Sequence, residues 1–76
     1  MQRNEVILIL EGLLKIDNKR KLHLSLNTRR FYNGFVTVYD DEDTLSFLDD
    51  KLGYITILYS QIINIEPMVE KWKTTK

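Results

Sequence analysis

LHLSLNTRRFYNGFVTVY, residues 22–39, is the stretch that decides the fold of this chain. Leu22, Leu24 and Leu26 alternate with polar residues, and an apolar residue at every second position is typical of a strand with one buried face. Residues 27–29, Asn-Thr-Arg, then favour a short turn. The first half of the stretch therefore predicts a strand that leads into a hairpin.

The second half, residues 30–39, predicts a bent strand, since it is rich in aromatic and β-branched side chains. A regular strand would place two sets of side chains on opposite faces: Tyr32, Val36 and Val38 on one, and Phe31, Phe35 and Tyr39 on the other. Gly34 interrupts the run, and a lone glycine inside a strand usually marks a sharp bend or a bulge.

Further strands are predicted towards the C-terminus, at residues 44–48, 54–58 and 61–65. Acidic or glycine-containing turns at 40–43 and 49–53 separate them, Tyr59-Ser60 makes a very short break, and Pro67 ends the last strand. Short strands without crossover helices predict a mainly β fold, a small five-stranded antiparallel barrel. We expect one domain over residues 1–68 and a polar tail over 69–76 that contains Trp72.

An N-terminal helix is predicted before the strands, at about residues 4–15. Asn4 is a candidate N-cap with Glu5 in the first turn, and an apolar face follows, formed by Val6, Leu10, Leu13 and Leu14. The run Val-Ile-Leu-Ile-Leu at 6–10 is equally compatible with a strand.

Composition limits the class of protein. Hydrophobic residues make up 43% of the chain and charged residues 29%, which is typical of a globular domain. The chain has no cysteine, which excludes disulfides and fits a reducing, cytoplasmic setting. The longest apolar run has five residues, far too few for a membrane span, and the N-terminus does not resemble a signal peptide.

The net charge is zero but unevenly distributed. Residues 1–30 carry seven basic and three acidic residues, a balance of +4; residues 31–50 carry six acidic residues and none basic; residues 51–76 carry four lysines and two glutamates. Overall charge therefore predicts no strong attraction to nucleic acid, although a basic face opposite an acidic one remains open.

The order and spacing of these segments resemble the Sm-like (Lsm) family of RNA-binding ring proteins. Residues 22–49 resemble its first signature: an alternating apolar strand, a glycine in the second strand (Gly34), an aspartate (Asp40), and a polar residue with leucine four positions on (Thr44-Leu45). Residues 53–65, GYITILYSQIINI, resemble its second signature. The resemblance covers about residues 4–66 and implies an SH3-like bent barrel behind an N-terminal helix.

The resemblance also implies a homo-oligomeric ring, in which the fourth strand of one subunit pairs with the fifth strand of the next. The sequence favours this independently, because edge strands without Lys or Pro tend to find partners. We expect the chain to partner itself in a ring of five to seven subunits, through interface residues Ile55, Ile57, Ile62, Ile63 and Ile65.

Family members hold an RNA base at the pore between a stacking residue, an asparagine and an arginine that precedes a glycine. Carried over by resemblance, these RNA-binding positions are Glu42, Thr44, Tyr59 and Ser60. Tyr59 can stack on a base and Thr44 can make one hydrogen bond, whereas Glu42 cannot stack and lies in an acidic loop, residues 40–43. We therefore expect a degraded uridine pocket.

A basic patch offers a second place for RNA, formed by Lys19, Arg20, Lys21, Arg29 and Arg30. We expect the two clusters to lie close together at the first hairpin, where they either bind phosphate or are simply solvated. Binding here would be salt-sensitive and largely independent of base sequence.

No catalytic or metal-binding spacing is present in the sequence, so we expect no enzyme, no cofactor and no metal. Residues 40–43 more often form a solvated turn than a cation site, and His23 lacks an identifiable catalytic partner. The expected function is an RNA-binding ring, a scaffold or chaperone. The alternative is a ring of the same shape used for protein assembly without RNA affinity. The sequence favours the first.

Overall fold

The structure, a computed structural model, describes residues 1–17, 19–39 and 41–68. It contains one helix and five strands: α1 (Arg3–Ile16), β1 (Leu22–Leu26), β2 (Phe31–Val38), β3 (Thr44–Asp49), β4 (Gly53–Leu58) and β5 (Ile62–Pro67). A 3-10 turn, Tyr59–Gln61, joins β4 to β5. The elements follow the predicted order, and each predicted boundary lies within two residues of the observed one. Asn18, Asp40 and the predicted tail with Trp72 lie outside the described residues.

The five strands form one antiparallel sheet in the order β4-β3-β2-β1-β5. β4 and β5 do not pair with each other within the described residues, so the sheet is open in the single chain. Register shifts lie between Ser25 and Leu26 and between Val36 and Val38. Such bulges bend the strand and increase its twist, and they therefore curl the sheet around one face.

The core lies on that curled face, under α1. Val6 and Leu10 of the helix are fully buried against the sheet, and Leu13 and Leu14 pack beside them, which confirms the predicted helix face. The remaining buried apolar side chains come from the strands and the 3-10 turn: Leu22, Leu24, Leu26, Leu45, Phe47, Ile57, Tyr59, Ile62 and Ile65. Full burial of a large apolar side chain stabilises a fold by about 1.5–3 kcal/mol, so the helix and sheet stabilise each other.

Gly34 allows β2 and β3 to approach closely. An ideal Cβ at this position would lie 1.9 Å from the carbonyl oxygen of Leu48 and 3.1 Å from Cα of Asp49, so no side chain fits. The predicted irregularity of β2 is confirmed, since its bulge begins two residues later.

The bulge reverses the predicted alternation at the end of β2. Val36 pairs with the buried Phe47, but Val38 pairs with Ser46, which points to the opposite face, and Val38 is exposed. Tyr39 instead packs against the core. The predicted faces were therefore wrong for these two residues, because one inserted residue changes every later side chain of a strand to the other face.

One local prediction was also wrong. The residue before the helix is Gln2, not Asn4, and its backbone N–H donates to Glu5 Oε1 at 3.1 Å. In the β1–β2 turn, Arg29 adopts a left-handed backbone, with φ of 67°.

Candidate assembly edges and the predicted RNA sites

The two edges of the sheet are β4 and β5, the strands that the family resemblance implicates in assembly. β4 pairs only with β3, and β5 only with β1, within the described residues. No residue of β4 is charged or proline. β5 extends further than predicted and includes Glu66 and Pro67, so its unprotected part is residues 62–65.

The predicted interface isoleucines have different environments. Ile57, Ile62 and Ile65 are buried in the core of their own chain, and Ile55 packs against that core. Ile63 is 58% exposed and sits where the β1–β5 register shifts. Ile63 is therefore the most exposed side chain of the five isoleucines for which an interface role was predicted.

The structure brings three of the four predicted pocket residues to one cavity. Glu42, Tyr59 and Ser60 line an open cavity of about 420 Å³ together with the N-terminal residues 1–3. Thr44 lies beside it in β3, paired with Leu58, another lining residue. The positions carried over from the family thus converge, although their chemistry differs from the family pattern.

Tyr59 belongs to the core rather than to the open surface of this cavity. Its side chain is only 3% exposed. Its hydroxyl donates to the backbone carbonyls of Tyr39 at 3.0 Å and Asp41 at 2.9 Å, and its backbone N–H donates to the carbonyl of Asp43 at 3.0 Å. The ring does not offer a free face for a base, so stacking by Tyr59 would require it to leave the core.

The acidic loop is held to α1 through its backbone. Arg3 Nε donates to the backbone carbonyl of Asp41 at 2.9 Å, while the side chains of Asp41, Glu42 and Asp43 are exposed. Within the described residues, no group of three or more carboxylate or imidazole side chains is arranged to hold a metal ion. The loop therefore presents its negative charge to solvent at one end of the sheet.

The structure does not bring the two basic clusters together. Lys19, Arg20 and Lys21 precede β1, and Arg29 and Arg30 follow it, so they lie at opposite ends of a five-residue strand. At about 3.3 Å per residue this separates them by more than 13 Å. Lys21 also forms an ion pair with Asp50. The prediction of one compact patch was therefore wrong, because a strand lies between the clusters.

His23 is packed rather than free. Its Nδ1 lies 2.5 Å from Asn33 Oδ1, and its ring centroid lies 5.3 Å from that of Phe31. These contacts explain its position on the outer side of β1 without a catalytic role.

Sequence reasoning missed the role of Asp49. Its buried carboxylate accepts hydrogen bonds from the backbone N–H groups of Asn33 (3.2 Å), Lys51 (3.0 Å) and Leu52 (2.9 Å). Burial by itself raises the pKa of this carboxyl, but the three hydrogen bonds and the charge of Lys51 outweigh it, so the pKa is lowered. The signal was an aspartate immediately before a turn, where its side chain commonly bonds to backbone N–H groups.

The helix of the described residues is too short and too polar to cross a membrane. Comparison of the chain with protein-family models, curated proteins and solved structures gave no match.

Proposed function

We propose that this protein is the subunit of a closed ring of the Sm type, in which β4 of each copy pairs with β5 of the next. The observation that carries the proposal is the strand order, which leaves these two strands as the edges of one sheet. An unpaired edge is a template for another chain, and head-to-tail pairing through two different edges forms a ring when the rotation closes.

The shape of the subunit supports the same proposal. An N-terminal helix, a sheet curled by two bulges and a close approach at Gly34 fit the bent, SH3-like barrel of Sm-like subunits. A domain of this size buries only about 60% of its unfolded surface. Burial of further surface against partner chains would therefore add to the stability that this small core provides.

RNA binding by the ring is part of the proposal, as a scaffold or chaperone, through exposed cations rather than a base-specific pocket. Arg29 and Arg30 are exposed at one turn, beside the exposed ring of Phe31, whereas Tyr59 is buried and Glu42 is acidic. A ring used only to assemble proteins is the alternative. The absorbance ratio at 260 and 280 nm, measured after purification at low salt without nuclease, distinguishes the two functions. Only an RNA-binding ring would carry host RNA through the purification.

The ring is tested by native mass spectrometry and analytical ultracentrifugation at micromolar concentration. We expect a species of five to seven chains. Ile63→Lys should reduce it to monomers, since Ile63 is exposed on the unprotected part of β5 and its replacement places a charge there. Ile65 is not a suitable site, because it is buried and a lysine there would unfold the chain.

The matched control is Leu8→Lys, which makes the same charge change at a 70% exposed apolar side chain on the helix. It should leave the ring intact. A wild-type chain that stays monomeric, or an Ile63→Lys variant that assembles as well as wild type, would contradict the proposed ring.

The RNA sites are tested by titration with U-rich and mixed oligonucleotides at two salt concentrations. Reversal of Arg29 and Arg30 to Glu should remove most of the affinity, and U-rich RNA should bind no better than mixed sequence. Glu42→Gln should change base preference little. Tight, selective binding of U-rich RNA that survives the arginine reversals would show that the pocket, not the turn, binds RNA.

A further inference from the structure

A groove runs between α1 and the second half of β2. Two open cavities form it, of about 610 and 710 Å³, and both are lined by Glu11, Thr37 and Tyr39. Further lining residues mark its two ends: Leu14, Lys15 and Val36 at one, and Arg3 and Val38 at the other. We call the two cavities together the helix–strand groove.

The helix–strand groove follows a strand edge that has no partner. Residues 31–34 of β2 pair with β1, but residues 35–38 pair only with β3 within the described part of the chain. Four consecutive residues, 36–39, line the groove, and no residue of β1 or β3 does. Consecutive residues of a strand point to opposite faces, so the edge of β2, and not one face of it, borders the groove. Such an edge presents backbone N–H and C=O groups to which an extended segment can add.

The groove also has an apolar wall and a row of charges. Leu14, Val36 and Tyr39 are partly buried, and they pack against the core. Lys15 lies at the Val36 end, and Glu11 lies in the middle, since it lines both cavities. The acidic loop, whose described side chains are exposed, follows Tyr39 at the other end. The groove therefore suits an extended segment with one large apolar side chain and with cations that can reach the acidic loop.

We propose that residues 69–76 of the same chain dock in the helix–strand groove, with Trp72 against its apolar wall. This tail, VEKWKTTK, offers one large apolar side chain and three lysines. Contact with the partly buried wall removes the surface of the tryptophan from water, and aromatic side chains gain most from such burial. The free edge of β2 offers backbone partners to the tail as well. The tail thus has the chemistry that the groove selects.

The order of charges in the tail complements the order along the groove. Glu70 comes before the three lysines of the tail. From the end where β2 becomes free, the groove presents Lys15, then Glu11, then the acidic loop. Arg3 at the far end donates to a backbone carbonyl of the acidic loop, and the exposed carboxylates of that loop outnumber it. Docking therefore places lysines beside the acidic loop and weakens its negative field.

The tail begins within reach of the groove. Met68, the residue before it, donates its backbone N–H to the carbonyl of Lys21 at 2.9 Å, and β1 begins at the next residue, opposite Gly34 of β2. Met68 therefore lies two strand spacings, about 10 Å, from Phe35, where the free edge begins. An extended chain as long as residues 69–76 spans about 26 Å, which covers this gap and the groove beyond it. Because the tail is tethered, its high effective concentration favours it over a peptide from another protein.

The experiment uses the fluorescence of Trp72, which is the only tryptophan of the chain and reports on the tail alone. Emission wavelength and acrylamide quenching are measured for the full chain and for a free peptide of residues 69–76. We expect the full chain to emit at a shorter wavelength and to be quenched several-fold less. Thr37→Lys places a charge at an exposed position in the middle of the groove and should return both values to those of the peptide. Thr28→Lys is the matched control, at an exposed position in the β1–β2 turn, and should behave as wild type.

The outcomes separate this inference from the proposed ring. Trp72 that is as accessible in wild type as in the peptide overturns the docking, and protection that survives Thr37→Lys overturns the groove as its site. Protection should persist in Ile63→Lys, which breaks the proposed ring. Its loss there would assign the groove to the tail of a neighbouring copy and overturn docking within one chain. Protection in a chain that never forms a ring rejects the ring and keeps the groove. Circular dichroism of each variant establishes that the fold is intact.

Discussion

The two ends of β3 are each fixed by one buried polar side chain, but in opposite ways. At one end the Tyr59 hydroxyl donates to the backbone carbonyls of Tyr39, just before the acidic loop, and of Asp41, within it. At the other end the Asp49 carboxylate accepts from three backbone N–H groups, two of them in the turn between β3 and β4. One anchor is a neutral donor and the other is a charged acceptor.

The Tyr59 end also bears on the RNA site that the family resemblance implies. By resemblance Tyr59 occupies the place of an RNA-contacting residue, yet its hydroxyl is used to hold the loop that carries Glu42. The Asp49 end has a purely structural anchor, and its negative charge is stabilised by the backbone it organises. Substitutions at the two ends should therefore differ in their effects on stability.

Gly34→Ala should have the largest effect, and it acts at the Asp49 end. The added methyl would lie 1.9 Å from a backbone oxygen of β3, which can move only if the strands separate. We expect a loss of at least about 3 kcal/mol in the free energy of unfolding, measured by urea denaturation. Gly12→Ala is the control: its Cβ meets nothing within 4 Å, and it should stabilise the helix by about 1 kcal/mol. Equal effects at the two glycines would refute the close approach.

Asp49→Asn should destabilise more than Tyr59→Phe. The amide retains one acceptor oxygen and directs an N–H group towards backbone N–H groups, so we expect a loss of about 1–3 kcal/mol. Removing the Tyr59 hydroxyl leaves the carbonyls of Tyr39 and Asp41 without this donor. Water can replace the hydroxyl at the exposed Asp41, so the free energy of unfolding should fall by only about 0.5–1.5 kcal/mol. Urea denaturation of both variants gives the ranking, and the reverse order would mean that the Tyr59 end is the more strongly anchored.

The comparison also shows what the sequence could predict. Alternation at residues 22–26 identified β1, and Gly34 correctly marked an irregular strand. Alternation cannot reveal which residue is inserted at a bulge, so Val38 and Tyr39 were assigned to the wrong faces.

The candidate sites were predicted with unequal accuracy, because the surroundings of a side chain depend on tertiary contacts that the sequence pattern does not contain. Glu42, Tyr59 and Ser60 line one cavity, as the resemblance implied. The Tyr59 ring packs in the core and its hydroxyl bonds to the carbonyls of Tyr39 and Asp41, and no spacing reveals these tertiary contacts. The separation of the basic clusters follows from the length of β1 and could have been derived from the predicted strand alone.

The two ends should respond differently to acid. The pKa of Asp49 is lowered in the folded chain from its ordinary value of 3.8, so its contribution to stability is complete well above that value and is lost as pH falls through the folded pKa. Denaturation at a series of pH values below about 5 should show a smaller acid dependence for Asp49→Asn than for wild type, whereas Tyr59→Phe should follow wild type. An identical acid response in all three would assign the pH dependence to other carboxylates.

The smallest effect is expected at Arg29, in the turn between β1 and β2. Arg29 adopts φ of 67°, a left-handed backbone that costs a residue with a Cβ about 1–2 kcal/mol relative to glycine. Arg29→Gly relieves this strain but gives the unfolded chain more freedom, so we expect a net gain of less than about 1 kcal/mol. Arg30→Gly, at a neighbouring position without positive φ, should destabilise and serves as the control. Loss of stability in Arg29→Gly would mean that the side chain contributes contacts worth more than the strain. If Arg29→Gly is more stable than wild type, its turn is intact. A lower RNA affinity of this variant then results from loss of the Arg29 charge.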